Sequence, residues 1–148
     1  MTRSTTRTIP IGARGQHAVV VDQEDYAYLM QWRWSFKTSR WRWGAKVYAR
    51  RSVRLRDDAA PKGGRGGRNV SIYMHRVILT ERMGLAPPSA THEGDHIDVD
   101  SLNNTRANLR WSTKAEQNAN QKPRITKAQK VAYAVAAAAS AGDVGTAP

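Results

Sequence analysis

Aspartate, histidine and asparagine residues are concentrated between residues 94 and 120, which read GDHIDVDSLNNTRANLRWSTKAEQNAN. Hydrolysis of a phosphodiester needs a base for water, a cation that holds the scissile phosphate, and a group that orients the base. The carboxylate of Asp95 suits a hard cation such as Mg²⁺ or Mn²⁺, and His96 can take a proton from water. The segment therefore predicts one divalent metal ion beside a histidine base.

A hairpin is predicted to position these groups. Apolar and polar residues alternate over residues 107–111, which indicates a second strand that returns Asn108 towards His96. Asn103 and Asn104 are interpreted as turn residues between the strands, since asparagine tolerates left-handed backbone conformations.

A helix is predicted after the hairpin. Thr113 can cap its first turn and Glu116, three residues later, completes a capping box. Gln117 and Asn118 then lie one turn into the helix. An amide oxygen from this helix is a candidate second protein ligand for the metal ion.

The charge of the chain indicates a polyanionic partner. Its 24 Lys and Arg against 12 Asp and Glu give a net charge of +12 and a pI near 10.7. Residues 1–56 hold twelve of the basic and three of the acidic residues, whereas residues 69–122 hold six of each. A basic N-terminal region can neutralise phosphates while the later carboxylates bind a cation, so nucleic acid is the leading candidate partner.

Alternating patterns predict a small antiparallel sheet in the basic region. A short strand and a helix are expected around Asp22, and residues 32–36 and 41–43 are expected to pair across a break at residues 37–39. Residues 47–56 alternate in the same way. The tryptophans are interpreted as core residues, and the arginines of the outer face are the candidate nucleic-acid contacts: Arg33, Arg40, Arg42, Arg50 and Arg54.

Residues 94–120 resemble the H-N-H endonucleases, specifically the branch found among phage and intron-encoded homing enzymes. The resemblance rests on Asp95-His96, on the run LNNTRANLR at residues 102–110, and on QNAN at residues 117–120. The run YMHR at residues 73–76 and the segment around residues 9–26 also look like this branch. The likeness covers roughly residues 8–124.

The resemblance implies a ββα-metal fold in which Asp95 and an amide of the helix bind the metal ion. It also implies that His96 activates water, that Asn108 orients His96 through its amide, and that the cut leaves a 5′-phosphate. Asn118 is favoured as the helix ligand over Gln117, because a shorter amide loses less side-chain entropy.

Three further polar residues near this motif have open interpretations. His75 is either a buried structural histidine or a phosphate contact. Arg106 and Arg110 flank Asn108 and either bind phosphate, which is preferred, or shield carboxylates.

The expected fold class is α+β, a small N-terminal antiparallel sheet joined to the hairpin–helix motif. Residues 1–69 form the basic, Trp-rich region, residues 70–122 the nuclease motif, and residues 123–148 a helix-prone and then disordered tail. One compact unit is expected to run from residue 8 to residue 124.

The predicted function is metal-dependent cleavage of double-stranded DNA, with a homodimer if both strands are cut. The alternatives are a non-catalytic DNA-binding protein, an RNA-binding or RNA-cleaving protein, and a structural zinc protein. The last is weak, since the chain has no cysteine and its four histidines lack ligand spacing. Neither an apolar run of membrane-spanning length nor a secretory signal is visible, so a cytoplasmic location and no membrane partner are expected.

Overall fold

The computed structural model describes residues 5–41, 44–59 and 66–120, together with Val131, Ala132 and Val135. The strands are β1 (Thr6–Ile11), β2 (His17–Asp22), β3 (Ser35–Trp41), β4 (Gly44–Leu55), β5 (Arg68–Tyr73), β6 (Glu93–His96) and β7 (Leu109–Ser112). The helices are α1 (Gln23–Leu29), α2 (Met74–Val77) and α3 (Lys114–Asn120); a π-helical turn, Ile78–Arg82, follows α2, and a 3₁₀ turn, Arg106–Asn108, precedes β7.

Within the described ranges, three small antiparallel sheets, β1–β2, β3–β4–β5 and β6–β7, give the mixed α+β architecture that the sequence predicts. In the described part of the chain no helix has both the length and the apolar composition to cross a membrane. The predictions for Arg42, for the middle of the loop at residues 57–68 and for most of the tail at residues 123–148 lie outside the described residues.

The core is built first on the β1–β2 hairpin. Ile9 and Ile11 of β1 and Val19 and Val21 of β2 are at most 2% exposed, while their strand neighbours face outward. Alternating β-branched residues suit such a half-buried strand pair. Burying each side chain contributes about 1.5–3 kcal/mol, so this hairpin provides a stable base for the rest of the fold.

The residues after α1 form a turn where the sequence predicts a strand. The indole Nε1 of buried Trp34 donates a hydrogen bond of 2.7 Å to the carbonyl oxygen of Leu29 at the end of α1. This bond holds residues 30–34 in the turn, so β3 begins only at Ser35. The expected break at residues 37–39 is wrong, because residues 35–41 pair continuously with residues 44–50.

The β2 strand also holds the segment that precedes β7. The backbone N–H of Val20 donates to the carbonyl of Leu102 at 2.9 Å, and the N–H of Asn104 donates to the carbonyl of Val20 at 2.8 Å. An oxygen of Asp22 accepts the backbone N–H of Arg106 at 2.7 Å. Residues 102–106 are therefore fixed against the N-terminal hairpin.

A buried ion pair reinforces this attachment. The fully buried Asp25 of α1 accepts hydrogen bonds from Arg82 at 2.9 Å and from Arg106 at 2.7 and 2.8 Å. Burial raises the pKa of Asp25, but the hydrogen bonds and charges of Arg106 and Arg82 outweigh it, so the pKa lies below its usual range. The ionised carboxylate links α1, the turn after α2 and the turn before β7.

Candidate active site

A cavity of about 310 Å³ lies where the β3–β4–β5 sheet, the β6–β7 hairpin and α3 meet. The sheet contributes Lys37, Lys46, Tyr48 and Tyr73, and α2 contributes His75 and Arg76. Glu93, Gly94, Asp95 and His96 of β6 and Gln117 and Asn120 of α3 complete the opposite side. The cavity therefore has three basic residues near two carboxylates and two amides.

His96 is the last residue of β6 and is 5% exposed. Its Nε2 lies 2.7 Å from Oδ1 of Asn104. With the amide in this orientation Oδ1 accepts the hydrogen bond, so Nε2 carries the proton and Nδ1 keeps its lone pair. This arrangement selects the tautomer that can accept a proton through Nδ1.

Burial lowers the pKa of His96, while the hydrogen bond that His96 donates to Asn104 and the negative charges of Asp95 and Asp98 oppose this shift. The positive charge of Lys46 lowers it further. A histidine with a lowered pKa is neutral near neutral pH, which is the protonation state that a general base requires.

Asn104 is a residue that sequence reasoning assigned only to a turn. Its side chain is 1% exposed, and its backbone is held by the carbonyl of Val20. The strand position of Val20 thus places the Asn104 amide against His96. The sequence places two adjacent asparagines, Asn103 and Asn104, near the motif, but it does not show which of them faces the histidine.

Asn108 lies close to His96 but its side chain holds the connecting loop. Its Oδ1 accepts the backbone N–H of Asp98 at 2.9 Å, and its Nδ2 donates to Oδ1 of Asp98 and to the carbonyl of Asn103, each at 2.8 Å. Its carbonyl accepts the N–H of Ile97 at 2.9 Å. Within the described chain, the side-chain partner of the His96 ring is Asn104, whose Oδ1 accepts from Nε2, and not Asn108.

Asp95 faces the cavity from β6, with its side chain 18% exposed. Its Oδ2 accepts two hydrogen bonds from Arg110, at 3.2 Å from Nε and 3.1 Å from Nη2. The two residues are paired across the β6–β7 hairpin. Arg110 is therefore a partner of the Asp95 carboxylate in this structure.

The capping box predicted for α3 is present and sets the register of the helix. Thr113 donates its backbone N–H to Glu116 at 2.7 Å, and Glu116 donates its N–H to Oγ1 of Thr113 at 3.3 Å. In this register Gln117 and Asn120 line the cavity. Asn118 is exposed and is not among the residues that line it.

Oxygen atoms dominate the donors on the α3 side of the cavity. Glu93 and Asp95 supply carboxylates, and Gln117 and Asn120 supply amides. Among the described residues no group of three or more His, Asp or Glu side chains is arranged to hold a metal ion. This donor set fits a hard cation such as Mg²⁺, which binds through one or two carboxylates and keeps several waters.

His75 packs under His96 with ring centroids 5.1 Å apart in an edge-to-face arrangement. Burial lowers the pKa of His75 to about 3, with smaller contributions from the charges of His96 and Arg76. Gly94 makes this position possible, because a Cβ there would lie 2.5 Å from Cδ2 of His75. His75 is thus a neutral, tightly packed support of the histidine above it.

The aromatic ring of Tyr48 lies 6.2 Å from the rings of both His75 and His96. Burial raises the pKa of Tyr48, and the negative charge of Asp95 adds to the effect. The hydroxyl therefore stays protonated and can donate a hydrogen bond into the cavity.

The predicted arginine contacts occupy different environments. Arg106 is bonded to buried Asp25, Arg33 is exposed in the turn before β3, and Arg40 lies on β3. Arg50 and Arg54 lie on β4, four residues apart. Strand alternation puts Arg50 and Arg54 on the same face as Tyr48, and Arg40 on the opposite face from Lys37.

Residues 72–119, about a third of the chain, match the model of a protein family described as HNH endonuclease. The match runs from β5 to α3 and includes Asp95, His96 and Asn108. It supports a likeness of this segment to HNH endonucleases and suggests nuclease activity on DNA. Comparisons with curated proteins and with solved structures gave no match.

Proposed function

We propose that this protein is a metal-dependent endonuclease that hydrolyses phosphodiester bonds of double-stranded DNA, with His96 as the general base. The observation that carries the proposal is the hydrogen bond between Nε2 of His96 and Oδ1 of Asn104. It leaves Nδ1 as the proton acceptor of a residue that lines a cavity with carboxylates, amides and cations. The match of residues 72–119 to HNH endonucleases supports the same reaction class.

Asp95 and an amide of α3 are the residues that would hold one Mg²⁺ or Mn²⁺ ion. Gln117 is preferred to Asn118 for this role, because Gln117 lines the cavity and Asn118 does not. Asn120 is a second candidate on the same face. A bound divalent cation would supply positive charge that stabilises the phosphate and the leaving oxygen as negative charge develops.

The side chains of the protein have separate roles in this proposal. Nδ1 of His96 takes a proton from the attacking water, and Asn104 holds the ring and its tautomer. Lys46 and Arg76 face the same cavity and offer positive charge to the phosphate. Asn108 acts on the loop between the strands and so on the position of His96. The products would be a 5′-phosphate and a 3′-hydroxyl.

The proposal also covers the extent of the folded unit, its oligomeric state and its location in the cell. The compact unit is proposed to run from residue 8 to residue 124, with the hairpin and α3 as a ββα-metal motif of the phage and intron homing branch. A monomer with one such site would nick one strand, so cutting both strands would need a homodimer or two sequential events. We propose a cytoplasmic location in a prokaryotic or phage-infected cell.

Incubation of the purified chain with supercoiled plasmid tests this function. Relaxation in Mg²⁺ or Mn²⁺ that EDTA abolishes is the expected result, and a structured RNA of similar length should stay intact. If the chain shifts the plasmid on a gel but never relaxes it, the non-catalytic DNA-binding alternative is correct. Cleavage of the RNA at the faster rate would instead make RNA the substrate.

A further inference from the structure

One face of the β3–β4–β5 sheet is continuous with the cavity. Lys37 of β3 pairs with Tyr48 of β4, and Ser39 pairs with Lys46. These four residues line the cavity, together with Tyr73 of β5. Side chains alternate between the two faces of a strand, so every second residue along β4 lies on the same face as these cavity residues.

This face carries positive charge along its whole length. After Lys46 and Tyr48, the same face of β4 presents Arg50, Ser52 and Arg54. Arg50 donates from Nη1 to Oγ of Ser71 on β5 at 2.7 Å, which holds its guanidinium along the sheet. The three strands contain no aspartate or glutamate.

The opposite face of the sheet is turned towards the core. Ala49 is 2% exposed there, and Arg51 of the same face stacks on the ring of Trp32, with its guanidinium carbon 4.3 Å from the ring centroid. Arg40 emerges on this side, close to the end of β3. The cavity face is therefore the face of the sheet along which a long polymer could lie, because the opposite face packs against the core.

We infer that the cavity face of the β3–β4–β5 sheet binds the DNA strand next to the cleaved phosphate. Lys37 and Lys46 contact the phosphates nearest the cavity, and Arg50 and Arg54 contact phosphates further along the same strand. This inference rests on the proposed function for the identity of the polymer. Beyond the proposed function, the inference specifies which surface the substrate contacts and the direction in which it lies.

The dimensions of the sheet agree with this path. The eight residue steps from Lys46 to Arg54 span ~26 Å at ~3.3 Å per residue. Duplex DNA rises by ~3.4 Å per base pair along its axis, so the face is about as long as eight base pairs of duplex. A small anion would occupy only one or two of these cations, whereas a nucleic-acid strand can engage the row.

The salt dependence of binding measures the number of phosphates that a protein neutralises. Each contact contributes about 0.9 to the slope of log Kobs against log salt for B-form DNA. The double substitution Lys37→Gln with Lys46→Gln should therefore lower the magnitude of the slope by about 1.8. Arg40→Gln, on the same strand as Lys37 but on the other face, should leave the slope unchanged.

Binding is measured with a labelled duplex of about 30 base pairs between about 50 and 200 mM salt, in EDTA and with His96→Ala, so that no cleavage interferes. Arg14→Gln, an exposed charge change in the β1–β2 turn, is the control. Thermal unfolding of each variant tests whether it is folded. Because Lys37 is exposed, the single variant Lys37→Gln should fold, and it should lower the magnitude of the slope by about 0.9.

An unchanged slope in the folded lysine variants would overturn the inference, and so would an equal loss in Arg40→Gln. A stronger effect of the lysine substitutions on RNA binding than on DNA binding would assign the face to RNA and overturn it as well. The binding assay needs no cleavage. A wild-type protein that binds DNA but does not cut it would therefore contradict the proposed function and leave the test of the binding face unaffected.

Discussion

Burial of His75 makes the stability of the protein depend on pH. The residue is 7% exposed, and burial lowers its pKa to about 3 from an ordinary value of 6.5. In the unfolded chain the pKa returns to the ordinary value. Between these two values the unfolded chain binds more protons than the folded chain, so the free energy of unfolding decreases as the pH falls.

The size of this effect follows from the two pKa values. At about pH 5 the unfolded chain is about 1.5 pH units below its ordinary histidine pKa, and each unit is about 1.36 kcal/mol. The folded protein loses about 2 kcal/mol between about pH 7 and about pH 5 through His75 alone. Any folded pKa below about 4 gives the same loss over this interval.

Urea unfolding of the metal-free protein at these two pH values tests the prediction. Wild type should lose about 2 kcal/mol more than His75→Gln, which has no titrating ring at this position. The control is His92→Gln, because His92 is a partly exposed histidine that is bonded to Ser89 and does not line the cavity. Equal pH dependence in wild type and His75→Gln would refute the account of a buried neutral histidine.

Gly94→Ala should destabilise the fold by about 1–3 kcal/mol in urea, because its Cβ would overlap the His75 ring, and adding His75→Ala should recover part of the loss. Asp25→Asn should cost about 2–4 kcal/mol, since two arginines lose a buried partner but remain partly exposed to water. Glu24→Gln, whose carboxylate is 62% exposed, should cost less than about 1 kcal/mol, and an equal cost for both would contradict the role of burial. Asn104→Leu should slow plasmid cleavage by roughly 10–100-fold with unchanged DNA affinity, whereas Asn104→Asp keeps the acceptor and should be less impaired; equal rates would remove this residue from the site.

The hairpin and α3 could be predicted because their signals are local. Alternation over residues 107–111 agrees with the pairing of β6 and β7, and Thr113 and Glu116 form the capping box that was expected. The N-terminal strand and helix around Asp22 also follow from local patterns, and both predictions are confirmed. Each of these features depends on residues a few positions apart.

The features that were missed depend on contacts between distant parts of the chain. Asn104 faces His96 because Val20, far away in the sequence, pairs with the backbone beside it. Arg106 was predicted to prefer phosphate, but it is bonded to Asp25, 81 residues away. The α3 residue that faces the cavity depends on how the helix packs against the β6–β7 hairpin, which the capping box alone cannot determine.

The most direct test of the proposed mechanism compares cleavage by wild type and His96→Ala under single-turnover conditions in Mg²⁺. Removal of a general base typically lowers the rate by about 10²–10⁴-fold, so we expect a loss in this range with DNA binding retained. His92→Ala, which changes a histidine outside the cavity lining, should cleave at the wild-type rate. Cleavage by His96→Ala within about threefold of wild type would contradict the assignment of His96 as the base.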